Sequence, residues 1–291
     1  MEKKVMIIID FNNTVFKSYY KERLINSKGE NVNAIKGFFF KLGALISNYS
    51  PEHIVFAADR SRSTTFRKKI FKPYKANRDR RPFDPDIDFQ MRQATALANA
   101  TGFPFISDDL YEADDIMGML TKLGNENNMT VILVSSDKDL YQLLNEDTFI
   151  MNGNGDLVTE EWLNMNYKLT PSQFIEHKML MGDRGDNIPG IDGIGELTSL
   201  RLLHRFDNIE SIYSKINSLK DVVRNKLLDG QDTLDLMREL VTIKTDYSLL
   251  NLNMDSLIRK PADRKTIFQM LTDLEIPSLY PTMEYNILGT N

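Results

Sequence analysis

The sequence predicts an α/β protein with a mostly parallel central sheet flanked by helices, leading into a helical C-terminal region. Three observations carry that prediction. Short β-branched or aliphatic runs alternate with helix-length amphipathic segments through roughly the first 150 residues, the pattern of strand-helix crossovers. Three of these runs lead into an aspartate: residues 5–9 before Asp10, 54–58 before Asp59, and 131–135 before Ser136-Asp137. After Asn152 the pattern turns helical. In open α/β sheets ligands sit beyond the carboxyl ends of the strands, so three such strands would deliver three aspartates to one acidic pocket.

The other elements follow in order. Residues 34–48 and 86–101 read as helices between strands, the second stopped by Gly102. Residues 160–167 read as a helix, and a new one starts at Thr170-Pro171-Ser172-Gln173. There threonine suits the N-cap, proline the first helical position, and glutamine completes a capping box. Gly185, Gly190, Gly193 and Gly195 then interrupt the pattern, which resumes over 196–206, 209–216 and 234–243. The last forty or so residues carry little periodicity. This reading divides the chain into residues 1–170, an α/β domain, and 171–291, a helical region.

With 291 residues and 42% hydrophobic content, the chain is long enough for one large or two modest globular domains. The absence of cysteine excludes disulfides, thiolate metal sites and a cysteine nucleophile, and suits a reducing compartment. His53, His177 and His204 are too scattered for a metal or triad spacing, which leaves chemistry to carboxylates, lysines or hydroxyls. Apolar runs reach only about five residues, too short for a membrane span or a signal-peptide core. A cytoplasmic protein without a membrane partner is expected.

The formal charge of −5 conceals a strong asymmetry. Residues 60–81 hold Arg60, Arg62, Arg67, Lys68, Lys69, Lys72, Lys75, Arg78, Arg80 and Arg81 against one acid, Asp79. By charge alone such a block is a solvated loop. Phe66, Phe71 and Tyr74 are interleaved with it, however, and cations that neutralise phosphates beside rings that stack on bases suit a single-stranded nucleic acid.

Nine carboxylates stand out: Asp10, Asp59, Glu112, Asp114, Asp115, Asp137, Asp139, Asp183 and Asp186. Each has a purely structural reading as a helix cap, a first-turn acid or a turn residue. Gathered together they are costly unless divalent cations neutralise them, and oxygen-only ligation favours Mg²⁺ or Mn²⁺ over zinc. Two such ions about 4 Å apart can activate water and stabilise a leaving oxygen, which implies phosphodiester hydrolysis. The stretch from Asn187 through Gly190, Gly193 and Gly195 to Thr198 adds freed backbone amides at a helix start, a sequence-independent phosphate site or simply a tight helix-helix connection. Its glycine order resembles the hairpin of helix-hairpin-helix DNA-binding elements.

Seven motifs occur in order: Ile-Ile-Ile-Asp10, Phe-Ala-Ala-Asp59, Phe66-Arg67, Tyr74-Lys75-Ala-Asn-Arg78, Tyr-Glu112-Ala-Asp114-Asp115, Ser-Ser-Asp137-Lys-Asp139, and Met-Gly-Asp183-Arg-Gly-Asp186 running on to Gly195. With them the chain resembles, over roughly residues 5–250, the 5′ nuclease family of flap endonucleases and 5′→3′ exonucleases. It is similar in particular to the N-terminal domain of bacterial DNA polymerase I and to free-standing bacterial and phage relatives. The resemblance implies structure-selective cleavage of DNA with 5′ flaps or single-strand/duplex junctions, using two Mg²⁺ ions, with Mn²⁺ as a substitute. RNA/DNA hybrids are a further substrate class, since the inferred contacts are to phosphates. It assigns Asp10, Asp59, Glu112, Asp114 and Asp115 toward a first metal and Asp137, Asp139, Asp183 and Asp186 toward a second.

The same resemblance makes Lys75 the cation nearest the scissile phosphate, assisted by Arg78. It gives Tyr74 a base to stack on, puts Arg67 on the substrate side, and makes residues 60–92 the base of a helical arch or clamp. Lys17, Lys68, Lys69, Lys72, Arg80 and Arg81 are then DNA contacts. Residues 182–206 become a helix-three-turn-helix element in which Gly190, Gly193, Gly195 and Thr198 grip duplex DNA, with a K⁺ ion. A stand-alone monomeric nuclease is implied, working beside a separate DNA polymerase in the cytosol of a bacterium or a phage-infected host.

Three residues depart from the family pattern. Phe11 stands where glycine is common and Lys17 where arginine is usual, so altered packing of the 5′ strand is expected. Leu197 replaces a lysine, which predicts weaker duplex binding and a salt slope shallower by about one or less. These departures leave open a non-catalytic junction binder. The Asp10 strand also echoes the D-x-D-x-T of haloacid-dehalogenase-type phosphatases, but Asn12 cannot donate the proton which that chemistry needs.

Overall fold

The structure is a computed structural model describing residues 3–60, 64–78 and 84–289. Strand β1 (Val5–Asp10) passes directly into α1 (Phe11–Tyr19), and α2 (Asn33–Tyr49) returns the chain to β2 (His53–Asp59). Helices α3 (Phe66–Ile70) and α4 (Pro85–Ala100) precede β3 (Phe105–Asp108), and α5 (Ala113–Glu126) precedes β4 (Thr130–Val134). A 3₁₀ turn over Lys138–Leu143 leads to β5 (Thr148–Met151) and the short β6 (Leu157–Val158). The chain then runs through α6 (Glu160–Tyr167), α7 (Pro171–Met181), α8 (Glu196–Phe206), α9 (Ile209–Ser214), α10 (Asp221–Gly230), α11 (Leu234–Val241) and α12 (Arg264–Asp273).

The strands form one sheet in the order β3-β2-β1-β4-β5-β6, parallel throughout except for β6. From β1 the chain builds outward through β2 and β3 on one side and through β4 and β5 on the other. The strand order therefore reverses between β1 and β4, and the crevice beyond their carboxyl ends is the ligand position of such sheets. Register carries Asp10 there, since Asp10 lies beside Ala57 and Ile9 beside Val134.

The period of two along each strand divides the core. Met6 and Ile8 face α5 and the helical region, joining Ile116, Leu120, Leu180 and Leu202, whereas Ile7 and Ile9 face α1, α2, α4 and α12, joining Phe38, Leu97 and Leu271. Both faces are covered, which is why the central strands are nearly continuous apolar runs.

Helix limits fall within a residue or two of those expected from sequence. Thr170 accepts from the Gln173 amide while the Gln173 side chain accepts from Thr170, the capping box anticipated at the start of α7. Two readings need correction. Residues 171–291 are not one helical region, because α12 and a π-helical turn over Thr282–Ile287 return to the second face of the sheet, where Ile267, Leu271, Met283 and Ile287 are fully buried. Phe11 does not crowd the pocket, for its ring turns into the core against Phe105 at 4.9 Å and Phe38 at 5.0 Å. Aromatic edge contacts of this kind hold it there.

Candidate active site

Four aspartates converge on the crevice. Asp10 from the end of β1, Asp59 from the end of β2, Asp114 from the first turn of α5 and Asp137 beyond β4 line one cavity of about 500 Å³, together with Lys75 and Arg78 from the basic segment. Local bonds fix their positions. Asp10 caps α1 by accepting from the Asn13 amide at 3.1 Å, and its other oxygen accepts from the Ser135 hydroxyl at 2.8 Å. Asp59 accepts from the Ala113 amide at 2.9 Å, and its own amide donates to Asn12 at 3.0 Å. Asp137 caps the 3₁₀ turn through the Asp139 amide at 2.9 Å. The capping role and a place in the cavity thus coexist in the same side chains.

Crowding leaves an electrostatic mark. Burial and the neighbouring Asp59 charge push the Asp10 carboxyl up to about 7, and burial with the charges of Asp137 and Asp10 pushes Asp114 well above the usual carboxylate range. An oxygen-lined cavity under this strain fits a hard divalent cation. Among the described residues, however, no three side chains of metal-binding type stand close enough to hold one ion as they are arranged here.

The Asp10 shift sets an expectation for stability. A carboxyl raised in the fold lends stability below its ordinary value near 3.8, and that stability is lost as pH climbs through about 7. Asparagine cannot ionise, so in EDTA the Asp10→Asn protein should exceed wild type by a margin that widens from pH 4 to 7, reaching about 2 kcal/mol or more by urea unfolding. His177, whose ring burial pushes down to about 4, acts in the opposite sense in both proteins and cancels from the margin. A margin that stays flat with pH would show that Asp10 is not crowded.

The remaining carboxylates are held by internal cations. Lys75 places its ammonium 2.7 Å from Glu112 and 3.6 Å from Asp186, and Arg78 pairs with Asp186. The Tyr74 hydroxyl donates to Glu112 at 2.9 Å. Burial alone would raise the Glu112 carboxyl, but the charges of Lys75 and Arg67 outweigh it and hold it below the usual range. Lys75 itself sits at φ +52°, its amide bonded to the Asp186 carbonyl at 2.8 Å, a conformation that a non-glycine residue keeps only where surrounding contacts enforce it.

Lys178 escaped the sequence reading. From α7 it reaches Asp139 at 2.7 Å and pairs with Asp183, standing between two of the carboxylates assigned to a second metal. Burial lifts Asp139 to about 6 despite the ammonium, whereas the more open Asp183 is drawn below its ordinary value by Lys178. The available signal was a lysine within the apolar end of a helix, five residues before Asp183. Phe16 and Tyr20 were also missed. They line the same cavity, and Tyr20, one helical turn beyond Phe16, is 78% exposed.

Three assignments are overturned by burial. Arg67 is 3% exposed and binds Asp115 with both terminal nitrogens, at 2.6 and 2.9 Å, so it does not face substrate. Asp115 is fully buried, also accepting from the Glu112 and Lys244 amides, and has no oxygen to offer a metal. Tyr74 is buried against Glu112 and cannot stack on a base. The segment folds back on α5 because buried acids require charged partners. Lys17, Lys69 and Lys72 are exposed and Lys68 is half-buried, while Arg80 and Arg81 lie outside the described residues.

The glycine turn follows α7. Gly182 and Gly190 have φ of +73° and +64° and pack backbone to backbone; a Cβ on Gly182 would lie 2.5 Å from the Ile188 carbonyl. Gly190 therefore serves the turn's shape. Gly193 accepts from the Lys226 ammonium at 3.0 Å, and Gly195 caps α8 beside open space. Thr198 is half-buried, and Leu197 is 68% exposed.

A switch-point cavity of aspartates, faced by a lysine and an arginine and joined to a helical region with an open glycine turn, defines a class of α/β proteins suited to phosphate esters. The chain belongs to the 5′-3′ exonuclease family. Residues 5–176 match its N-terminal resolvase-like domain and 169–265 its C-terminal SAM fold. DNA polymerase I of Bacillus subtilis is 33% identical over 285 residues, covering 96% of this chain and 32% of that protein. The thermostable DNA polymerase I of Thermus aquaticus is 32% identical over 276 residues, covering 94% and 32% respectively. The chain thus spans about a third of the curated relatives it matches. Among solved structures, the T5 5′-exonuclease with bound zinc superposes with a TM-score of 0.71 at 22% identity, covering 94% of this chain and 98% of that one. Flap endonuclease-1 from Methanococcus jannaschii gives 0.64 at 17% identity, covering 99% and 94%. These likenesses establish the shared fold, and the family match removes the phosphatase alternative.

Proposed function

We propose that this chain is a structure-selective 5′ nuclease that hydrolyses DNA phosphodiesters near single-strand/duplex junctions. The observation that carries this reading is the convergence of Asp10, Asp59, Asp114 and Asp137 with Lys75 and Arg78 on one cavity at the strand ends. Divalent ions, Mg²⁺ or Mn²⁺ in its place, supply Lewis acidity and lower the pKa of water when bound. The four cavity aspartates are the residues to hold them first. Asp139, Asp183 and Asp186, paired here with Lys178, Lys75 and Arg78, would hold a second ion.

The chain's own cations do the rest. Lys75 and Arg78 neutralise charge that develops on the phosphate, already oriented by Glu112 and Asp186. The exposed Lys17, Lys69 and Lys72, with Lys68, Arg80 and Arg81, take backbone phosphates, and Phe16 and Tyr20 offer rings to a base at the cavity mouth. The turn around Gly193, Gly195 and Thr198 contacts duplex phosphates. Its carbonyls suit a K⁺ ion, although that of Gly193 is already engaged by Lys226.

DNA with 5′ flaps is the proposed substrate, with RNA/DNA hybrids as a second class, a monomer as the working unit, and a DNA polymerase as the neighbour in a bacterial or phage-infected cytosol. No described helix is long and apolar enough to cross a membrane.

The test is product mapping on a 5′-flap DNA labelled at the flap end, with Mg²⁺, against EDTA and Asp183→Ala controls. Labelled fragments about the length of the flap, absent from both controls, are the expected result, and labelled mononucleotides would indicate an exonuclease preference. Binding without cleavage at any Mg²⁺ or Mn²⁺ concentration would sink the nuclease reading and leave a junction binder.

A further inference from the structure

Arg67 spends all three of its nitrogens on buried partners from two parts of the fold. Its Nε donates to the Leu240 carbonyl at 2.8 Å and its Nη2 to the Thr242 carbonyl at 3.0 Å, both at the C-terminal end of α11. The two terminal nitrogens, Nη1 and Nη2, clamp Asp115, and Nη1 also reaches Glu112 at 3.0 Å. The other oxygen of Glu112 holds the Lys75 ammonium at 2.7 Å. A continuous chain of bonds no longer than 3.0 Å therefore runs from the end of α11 through Arg67 and Glu112 to Lys75. Helix α11 packs on α7, which leads into the glycine turn, and it lies within the stretch that matches the SAM fold. The Lys244 amide on Asp115 adds a second tie between the same two parts.

From this juxtaposition we propose that Arg67 is a positioning residue for Lys75, through which the seating of the duplex-gripping helices sets the lysine at the cleavage site. The inference rests on the reading of Lys75 given above. Only a guanidinium serves here, because one planar fork satisfies a carboxylate bidentately while its remaining N–H groups meet two carbonyls, a pattern an ammonium cannot span. Small misplacement of a reacting group is enough to slow chemistry substantially.

The experiment is a double-mutant cycle on Arg67→Lys and Lys75→Ala, read as single-turnover cleavage of the 5′-flap substrate together with the dissociation constant for junction DNA in EDTA. Arg67→Lys alone should cut the rate about 10-fold or more while leaving the dissociation constant within about 3-fold. In the Lys75→Ala background it should cost less than about 2-fold, because its effect passes through the lysine. Asp115→Asn, which loosens the Arg67 fork without touching Lys75, should show the same non-additivity should Arg67→Lys fail to fold. Rate losses that multiply in the double variant overturn the inference while leaving the role of Lys75 intact. A Lys75→Ala protein that cleaves like wild type overturns both.

Discussion

Asp114→Asn is expected to abolish cleavage, by about 10³-fold or more, while junction binding in EDTA stays within a few-fold of wild type or tightens. The argument is electrostatic. Asp114 stands in the first turn of α5 between Asp137 and Asp10, whose charges, added to burial, drive its carboxyl far above the ordinary range. It contributes a cost to the metal-free fold, and among the described residues it has no salt-bridge partner like those of Glu112 and Asp183, the Lys75 charge offsetting the crowding only in part. Asparagine keeps the shape and removes the charge. The metal-free protein should therefore become more stable as activity disappears, a combination that simple misfolding cannot produce. Cleavage retained by this variant would remove the aspartate cavity from consideration as the reaction site.

Lys75→Ala is the second large effect. A preorganised cation facing developing charge is removed, and single-turnover cleavage at saturating enzyme should slow by roughly 10² or more. Stability should fall by only about 1–2 kcal/mol, because Glu112 retains Arg67 and Tyr74, and Asp186 retains Arg78. A thermal or urea denaturation run beside the kinetics separates the two. Near-normal turnover would show that the lysine only balances buried charge. A loss confined to substrate affinity would place it among the phosphate grips with Lys69 and Lys72.

The strand ends were legible in the sequence because local pattern determines them. An aliphatic run of strand length closed by aspartate occurs twice, and the switch-point rule then places both acids, and Asp137 beyond the third run, in one crevice. The capping box at Thr170 was equally local. The pairing of charges was not legible. Lys75 meets Glu112 across 37 residues, and nothing in a run of ten cations marks Arg67 for burial and Lys69 for solvent. Tyr74 was misread for the same reason, since a ring among cations looks alike whether it faces a base or a buried glutamate. The tail escaped notice because Pro277 and Pro281 cut its helical period into pieces too short to recognise, although Ile267, Leu271 and Leu274 keep helical spacing within α12 and its end.

That tail gives the molecule a particular order of assembly. Asn286 donates to Ser47 at 2.6 Å across 239 residues, and the turn carrying it seals the apolar side of α2, the second helix made. During synthesis Phe38, Phe39 and Leu42 are made long before the Thr282–Ile287 turn that helps to cover them. Closure of so distant a contact is slow, because the chain entropy it removes is lost before any burial is gained. The helical region is thus an excursion between two passes of one layer, in which a short apolar segment docks onto a surface laid down before that region is made.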